Sequence, residues 1–404
     1  MKILLYAIFA LMTMTLTAQA EVEVKDISTD APEHVQSKEK PQNFAWFWQR
    51  KDDAKDKSDA KSSAQPANLA APVAPSVDMP HIALILPLSG QYAVAAQAIR
   101  EGFIGAYYLD PANEQTDVRI YDTNGDKDVV KAYTAAINAG ANIVVGPLTK
   151  SGMETLLDSK RVDNKIIVIS LNTLEGRNRL PQYLYPFALG PEDEAYTLAE
   201  RAWNDGHREA AALIEKTTFG RRAGASFKKR FEQLGGTVHQ MVYFDQNQTL
   251  DDPVDYLKQT YDFIFLMASP GQARQVPPLI QFYYNRYVPI YAMANLYEGT
   301  PNPGRDNDLN GVIFCDSPWI VNPAQRNSTL NAMATQLLTQ PIAQERLFAF
   351  GVDAYKVSKN IRSFSANPQF SMSGATGRLY MDNSGFMVRE PMCARFSAGE
   401  PRVL

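Results

Sequence analysis

A few serine and lysine pairs are the groups in this sequence whose spacing suggests catalysis. Ser226 and Lys229 form a Ser-x-x-Lys quartet, as do Ser58 and Lys61. Penicilloyl-serine enzymes combine this quartet with Ser-Asp-Asn and Lys-Thr-Gly elements, and the sequence contains neither element. The Ser226 quartet lies in a stretch rich in lysine and arginine, which is typical of a solvated helix face. The quartets therefore do not predict an enzyme, and we expect the chain to be non-enzymatic.

A short acidic stretch at residues 122–128 resembles the start of a calcium-binding loop. Such a loop requires a glutamate at its twelfth position, which is occupied here by Tyr133. We interpret the stretch as a turn in which Asp126 is the N-cap of the next helix. The sequence also lacks Cys-x-x-Cys, His-Glu-x-x-His, a P-loop and a Gly-x-Gly-x-x-Gly fingerprint. It therefore predicts neither a metal nor a cofactor.

Small hydroxyl and amide residues follow several predicted strands and could bind a ligand there. Parallel strands end at one edge of a sheet, where helix N-termini offer free N–H groups to a carboxylate. Helix N-caps require the same residue types, so capping explains them equally well. Two aromatic residues could cover a ligand or simply fill the cleft. The candidate cleft residues are Ser89, Gly90, Tyr92, Gly146, Pro147, Leu148, Ser170, Asn172, Thr173 and Phe219.

Alternating strands and helices from about residue 80 must position these groups. The apolar run His81–Leu86 ends at a proline, as expected for a buried parallel strand. Strands and helices then alternate, and the pattern restarts near residue 190. Turn-forming residues at 382–385 separate two predicted strands, 377–381 and 386–390, and so predict a hairpin. The sequence predicts an α/β fold of two lobes, each a parallel sheet flanked by helices.

The first 78 residues differ in composition from the rest of the chain. Residues 1–20 combine Lys2, an apolar run and small residues at Ala18 and Ala20, which predicts a cleaved signal peptide; an uncleaved membrane anchor is the alternative. No cysteine lies near residue 20, so we expect no lipobox and a periplasmic destination. Residues 21–78 are rich in charged residues, alanine and proline, which predicts a disordered linker.

An aromatic pentad at residues 44–48 stands out within this linker. The sequence leaves three interpretations open: it folds back onto the globular part, it anchors a protein partner, or it attaches the chain peripherally to a membrane surface. The partner or membrane contact would be made by Phe44, Trp46, Phe47 and Trp48.

Composition limits the remaining classes of protein. The 404 residues are 45% hydrophobic and 21% charged, as in soluble globular proteins, and exceed the length of one ordinary domain. The net charge of −4 argues against a nucleic-acid-binding protein. Cys315 and Cys393 are either a disulfide, which an oxidising compartment permits, or two buried free thiols.

Three segments resemble type I periplasmic binding proteins: residues 82–102, residues 217–236 and the closing hairpin at 374–385. Within that superfamily, residues 86–103 and 316–319 are similar to the C-terminal domain of LpoA-type penicillin-binding-protein activators. This resemblance covers about residues 80–400. It implies a partner, a class A (bifunctional) penicillin-binding protein, whose peptidoglycan synthesis the chain would stimulate.

The resemblance also implies a division of residues 79–404 into two lobes. Lobe I would comprise about 79–189 plus part of 300–365, and lobe II about 190–299 plus 366–404. Familiar members of the activator family are outer-membrane lipoproteins with a large helical-repeat N-terminal domain, in whose place this sequence has residues 21–78. The alternative function is a periplasmic solute-binding protein for an amino-acid-like ligand; a muropeptide fragment is a further candidate ligand.

Overall fold

The structure, a computed structural model, describes residues 23–27, 80–113, 116–173, 181–257, 260–338 and 341–404. A short strand, β1 (Glu23–Ile27), precedes the first lobe. The elements of lobe I are β2 (His81–Leu86), α1 (Ala93–Leu109), β3 (Asp117–Asp122), α2 (Val129–Asn138), β4 (Ala141–Val145), α3 (Lys150–Asp158), β5 (Ile167–Ser170) and β6 (Leu184–Pro186).

The sheet of lobe I is parallel throughout, in the strand order β3-β2-β4-β5-β6. Every residue of β2 is buried, as its continuous apolar run predicts for a central parallel strand. In α1, Ala98, Ile99 and Phe103 are buried. Their spacing places them on one helical face, which packs into the core.

The chain then builds most of lobe II. Its elements here are α4 (Pro191–Asn204), β7 (Glu209–Glu215), α5 (Thr218–Gln233), β8 (Thr237–Phe244), α6 (Asp251–Asp255), β9 (Phe263–Met267), α7 (Pro270–Ala273), α8 (Val276–Tyr284), β10 (Ile290–Met293), α9 (Pro303–Asp306) and β11 (Ile313–Asp316).

The last ninety residues return to lobe I, form a small sheet and end in lobe II. Their elements are α10 (Pro318–Val321), α11 (Ser328–Leu337), α12 (Pro341–Ala366), β12 (Ser371–Ser373), β13 (Arg378–Met381), β14 (Met387–Glu390), β15 (Met392–Ser397) and β16 (Glu400–Val403). The sheet of lobe II has the order β1-β8-β7-β9-β10-β11-β15-β16, parallel except for β15 and β16.

The long helix α12 belongs to lobe I because it packs directly on α1. A Cβ atom on Gly102 would lie 1.9 Å from the Phe348 carbonyl oxygen, and one on Gly351 would lie 2.0 Å from the Ile99 carbonyl oxygen. Only glycine at both positions allows the two backbones to approach this closely.

The predicted lobe boundaries are wrong in two places. β11 lies inside the lobe II sheet, so lobe II extends past residue 299 to 316. Residues 371–390 form a separate three-stranded sheet, β12-β13-β14, which packs on α4 of lobe II and on α12 of lobe I and is not part of the lobe II sheet. The predicted hairpin is present in that sheet, since β13 and β14 pair antiparallel from Arg378↔Glu390 to Met381↔Met387.

The linker prediction is contradicted over residues 23–27. These residues form β1, which pairs in parallel with β8 at the edge of lobe II. The predicted signal peptide (1–20) and the aromatic pentad (44–48) lie outside the described residues. The open question about the cysteines is resolved: Cys315 and Cys393 form a disulfide bond.

Candidate functional site

The candidate cleft residues lie at the ends of β2, β4 and β5 in lobe I and at the start of α5 in lobe II. On the lobe I side, the loop after β4 begins with Gly146 at φ +111°, and a Cβ there would lie 2.2 Å from the Ile85 carbonyl oxygen. A cis peptide bond joins Gly146 to Pro147. The Pro147 carbonyl accepts a hydrogen bond from the Leu171 N–H at 3.0 Å. The loop is therefore held against the neighbouring strand by its own backbone.

The polar residues after β5 bind the protein itself. The Ser170 hydroxyl donates to the Asn172 carbonyl at 2.8 Å, and the Asn172 amide donates to the Leu148 carbonyl at 3.1 Å. The Asn172 side-chain oxygen accepts from the Thr173 N–H at 2.9 Å. These predicted ligand-binding groups are thus close together, but they are used to fix the loops.

Asp126 occupies the N-terminus of α3, one of the places where the sequence left open either helix capping or a ligand carboxylate. Its carboxylate accepts hydrogen bonds from the Thr149 hydroxyl and, at 3.3 Å, from the Ser151 hydroxyl. Thr149 itself caps α3 by accepting from the Gly152 N–H at 2.9 Å. The prediction that Asp126 is the N-cap of the preceding helix is wrong, because α2 begins at Val129.

The remaining predicted cleft residues lie at or near the N-termini of helices. Ser89 and Gly90 lie in the loop before α1, and half-buried Tyr92 directly precedes that helix. The Ser89 hydroxyl is buried without a hydrogen bond to any described residue. Across the cleft, Phe219 on α5 is half-buried against the core of lobe II, which supports a packing role.

Several polar groups at the strand ends of lobe II bind the protein itself, although the side-chain oxygen of Asn295 is buried without a hydrogen bond to a described residue. The Glu215 carboxylate at the end of β7 accepts from the Ser269 N–H, and burial raises the pKa of Glu215 above its usual value. The Asn295 amide donates to the Ala268 carbonyl at 2.7 Å. Thr217 caps α5 through the Gly220 N–H at 2.9 Å.

Charged groups gather instead where the chain passes between the lobes. Arg346, near the start of α12, makes a forked contact with Asp316, with Nη2 and Nε 2.6 and 3.0 Å from one carboxylate oxygen and Nε 3.2 Å from the other. Arg346 also donates to the Tyr297 carbonyl at 3.1 Å. The side chains of Arg346 and Asp316 are only 12% and 5% exposed. This pair joins α12 of lobe I to the end of β11 in lobe II.

A second charged group lies at the start of α4. Arg389 on β14 donates to the Ala188 carbonyl at 2.9 Å and lies 3.3 Å from Asp193. Burial raises the pKa of Asp193 to about 6, although Arg389 opposes the shift. Burial raises the pKa of Glu194 to about 8, although its carboxylate accepts a hydrogen bond from the Ala294 N–H. We call residues 193, 194, 316, 346 and 389 the hinge cluster.

The structure also explains the catalytic-looking quartet. The Ser226 hydroxyl donates to the Glu192 carbonyl at 3.2 Å, so it joins α5 to α4. Within the described ranges, no group of three or more His, Cys, Asp or Glu side chains could hold a metal ion. Over the same residues, no helix has the length and apolar character required to span a bilayer.

The two lobes, the passages between them and the order of their strands define the class: a type I periplasmic-binding-protein fold. Residues 73–399 match the family model described as "LppC putative lipoprotein", and the chain belongs to that family.

The relatives are penicillin-binding protein activators. "Penicillin-binding protein activator LpoA" of Photobacterium profundum is 26% identical over 348 residues, which cover 79% of this chain and 56% of that protein. The Haemophilus influenzae protein of the same description is 28% identical over 329 residues, covering 79% and 54%. The chain spans about half the length of the curated relatives it matches.

The part of the relatives that this chain matches includes a domain whose structure has been solved. The structure described as "LpoA (YraM) C-domain from Haemophilus influenzae, a regulator of PBP1A" aligns with a TM-score of 0.70 and 25% identity over 80% of this chain and 99% of that domain. A structure from Chromobacterium violaceum, described as a "putative branched-chain amino acid ABC transporter", aligns with a TM-score of 0.62 and 26% identity over 79% of this chain and all of that one.

Proposed function

We propose that this protein is a non-enzymatic regulator in the periplasm that binds a class A penicillin-binding protein and activates its synthesis of peptidoglycan. The observation that carries the proposal is the alignment with nearly the whole of a domain described as a regulator of PBP1A. The loops after β4 and β5 support it, because Ser170 and Asn172 use their side chains to bind the protein's own backbone. The function then depends on the outer surface of the lobes.

The alternative is a solute-binding protein that closes on an amino-acid-like ligand. The likeness to the Chromobacterium structure is the observation in its favour. A ligand that binds only the folded state stabilises it by RT ln(1 + [L]/Kd) and so raises the melting temperature as its concentration increases. A melting temperature that rises with added amino acids, together with no binding to a synthase, would favour this alternative.

Direct binding tests the proposal. The purified protein is titrated against the periplasmic part of a class A penicillin-binding protein from the same organism, and biolayer interferometry reads the complex. We expect a saturable signal with Kd of about 1 μM or tighter, equivalent to about 8 kcal/mol. No signal from a folded sample would contradict the proposed function.

A further inference from the structure

An aromatic surface lies on lobe II, at the end remote from the cleft. It comprises Phe282, Tyr283 and Tyr287, around the end of α8 and the start of β10, and we call it the aromatic ridge. Phe282 and Tyr287 are 79% and 70% exposed. The rings of Phe282 and Tyr283 meet edge to face with centroids 5.1 Å apart. Tyr283 packs partly against the core, whereas Phe282 and Tyr287 expose most of their rings and offer that area to a partner.

Hydrogen bonds and core packing hold α8, the helix that carries most of the ridge, in place. The Tyr284 hydroxyl lies 2.7 Å from the Val254 carbonyl oxygen and 2.6 Å from the Leu257 carbonyl oxygen, which ties α8 to the segment containing α6. Ile280 is buried on the inner face of α8, and Asn285 ends the helix in the left-handed conformation. A preordered surface loses little conformational entropy when it binds.

A small cavity opens beside the ridge. Its volume is about 40 Å³, and Ile280, Val288 and Val312 line it together with Tyr287 and with the polar residues Gln281, Arg286 and Asn310. The Arg286 guanidinium lies over the Tyr261 ring of the protein itself. A space of this size accepts the tip of one apolar side chain rather than a metabolite. Pockets that receive a single anchoring side chain beside a tyrosine are typical of the centre of a protein interface.

Charge identifies the partner's chemistry. Asp251, Asp252 and Asp255 are all exposed on α6, the helix that packs against α8. Acidic groups beside an aromatic surface complement lysine and arginine side chains, which steer association and select the partner. An occupant therefore combines an apolar side chain for the cavity with basic residues facing α6.

We infer that the aromatic ridge is the surface through which this protein docks a basic, apolar patch of the penicillin-binding protein. This inference rests on the proposed function and locates its contact on lobe II. Because the ridge lies at the amino ends of β9 and β10, docking there leaves the cleft and the hinge cluster free.

The test compares two exposed aromatic sites on the full chain. The double variant F282S/Y287S removes the two exposed rings of the ridge, and Tyr108→Ser, at a 67% exposed tyrosine of α1 in lobe I, is the matched control. Binding to the periplasmic part of the synthase is measured by interferometry, with melting temperatures showing that both variants fold. We expect Kd to rise about tenfold or more in the double variant, the effect of losing a hot spot, and to stay unchanged in the control.

The outcomes separate the two claims. If the double variant binds as the wild type does, the ridge is not the docking surface, while the proposed function stands. If Tyr108→Ser alone weakens binding, the contact lies on lobe I and the inference is wrong. If the wild type does not bind the synthase, the proposed function fails. In that case the ridge has no synthase to dock and the inference fails with it.

Charge variants provide an independent readout. Replacing Asp251 and Asp255 by asparagine should slow association and flatten its dependence on salt, because steering by opposite charges is screened by ions. An unchanged salt dependence would overturn the basic character assigned to the partner.

Discussion

Cys315 and Cys393 face each other across the antiparallel strands β11 and β15 and are joined by a disulfide bond. Cys315 lies just before Ser317, where the chain leaves lobe II, and Cys393 lies just after Pro391, where it returns. The bond closes a loop over a sequence separation of 78 residues that contains α12 and the small sheet. It therefore ties two neighbouring passages between the lobes together.

Removing this bond should destabilise the protein without changing its fold. For the double variant C315A/C393A we expect a loss of about 2–4 kcal/mol, since the unfolded chain regains the freedom that the closed loop denied it. Calorimetry measures the change. A reductant should lower the melting temperature of the wild type and leave the double variant unaffected. Equal melting temperatures for wild type and variant would contradict a stabilising bond.

Glu194 should make stability depend on pH. Its folded pKa of about 8 exceeds the ordinary value of 4.5, so the folded state holds a proton that the unfolded chain releases. Stability from this group is complete below about pH 4.5 and is lost as the pH rises through 8. In Glu194→Gln, the decline between these values should be smaller. Exposed Glu154→Gln is the control, and parallel pH profiles for Glu194→Gln and wild type would refute the assignment.

Arg346 should be one of the most sensitive positions in the protein. Arg346→Met leaves Asp316 nearly buried without its cation, which we expect to cost about 3–5 kcal/mol. The double variant R346M/D316N should be less destabilised than Arg346→Met. For comparison, Arg402 pairs with Glu400 at the surface with 66% of its side chain exposed, so Arg402→Met should change urea unfolding very little. Similar losses in the two arginine variants would contradict a buried hinge pair.

Asp126 should stabilise α3. Asp126→Ala removes the carboxylate that accepts from Thr149 and Ser151 at the positive end of that helix, and we expect a loss of about 1–2 kcal/mol. Glu154→Ala is the control, because Glu154 is an exposed residue in the middle of α3 and lies away from its N-terminus. Chemical denaturation compares the two. A larger loss in the control would show that Asp126 is not the stabilising group.

The elements of the fold could be predicted from the sequence because their signals are local. Each signal lies within one short stretch of sequence: the buried run of β2, the apolar face of α1, and the turn between β13 and β14. The lobe boundary near β11 could not be placed, since a four-residue apolar strand fits either sheet until its neighbours are known.

The state of the cleft could not be predicted for a different reason. Residue types at strand ends are the same for capping and for ligand binding. The Thr149 hydroxyl binds Asp126 rather than leaving its helix end open to a ligand, and Asp126 lies on another loop, which no local pattern shows. The hinge cluster was missed entirely, because Arg389 and Asp193 are 196 residues apart and no local pattern connects them.

The most direct test of the account is the rate of glycan-chain polymerisation by the class A penicillin-binding protein of the same organism. The enzyme is assayed with lipid-linked substrate, with and without increasing amounts of the purified protein. We predict a rate that rises and saturates at the concentration range where the two proteins bind, and a rise that F282S/Y287S shifts to higher concentration. A rate that stays constant while the complex forms would contradict activation, and with it the account's central claim.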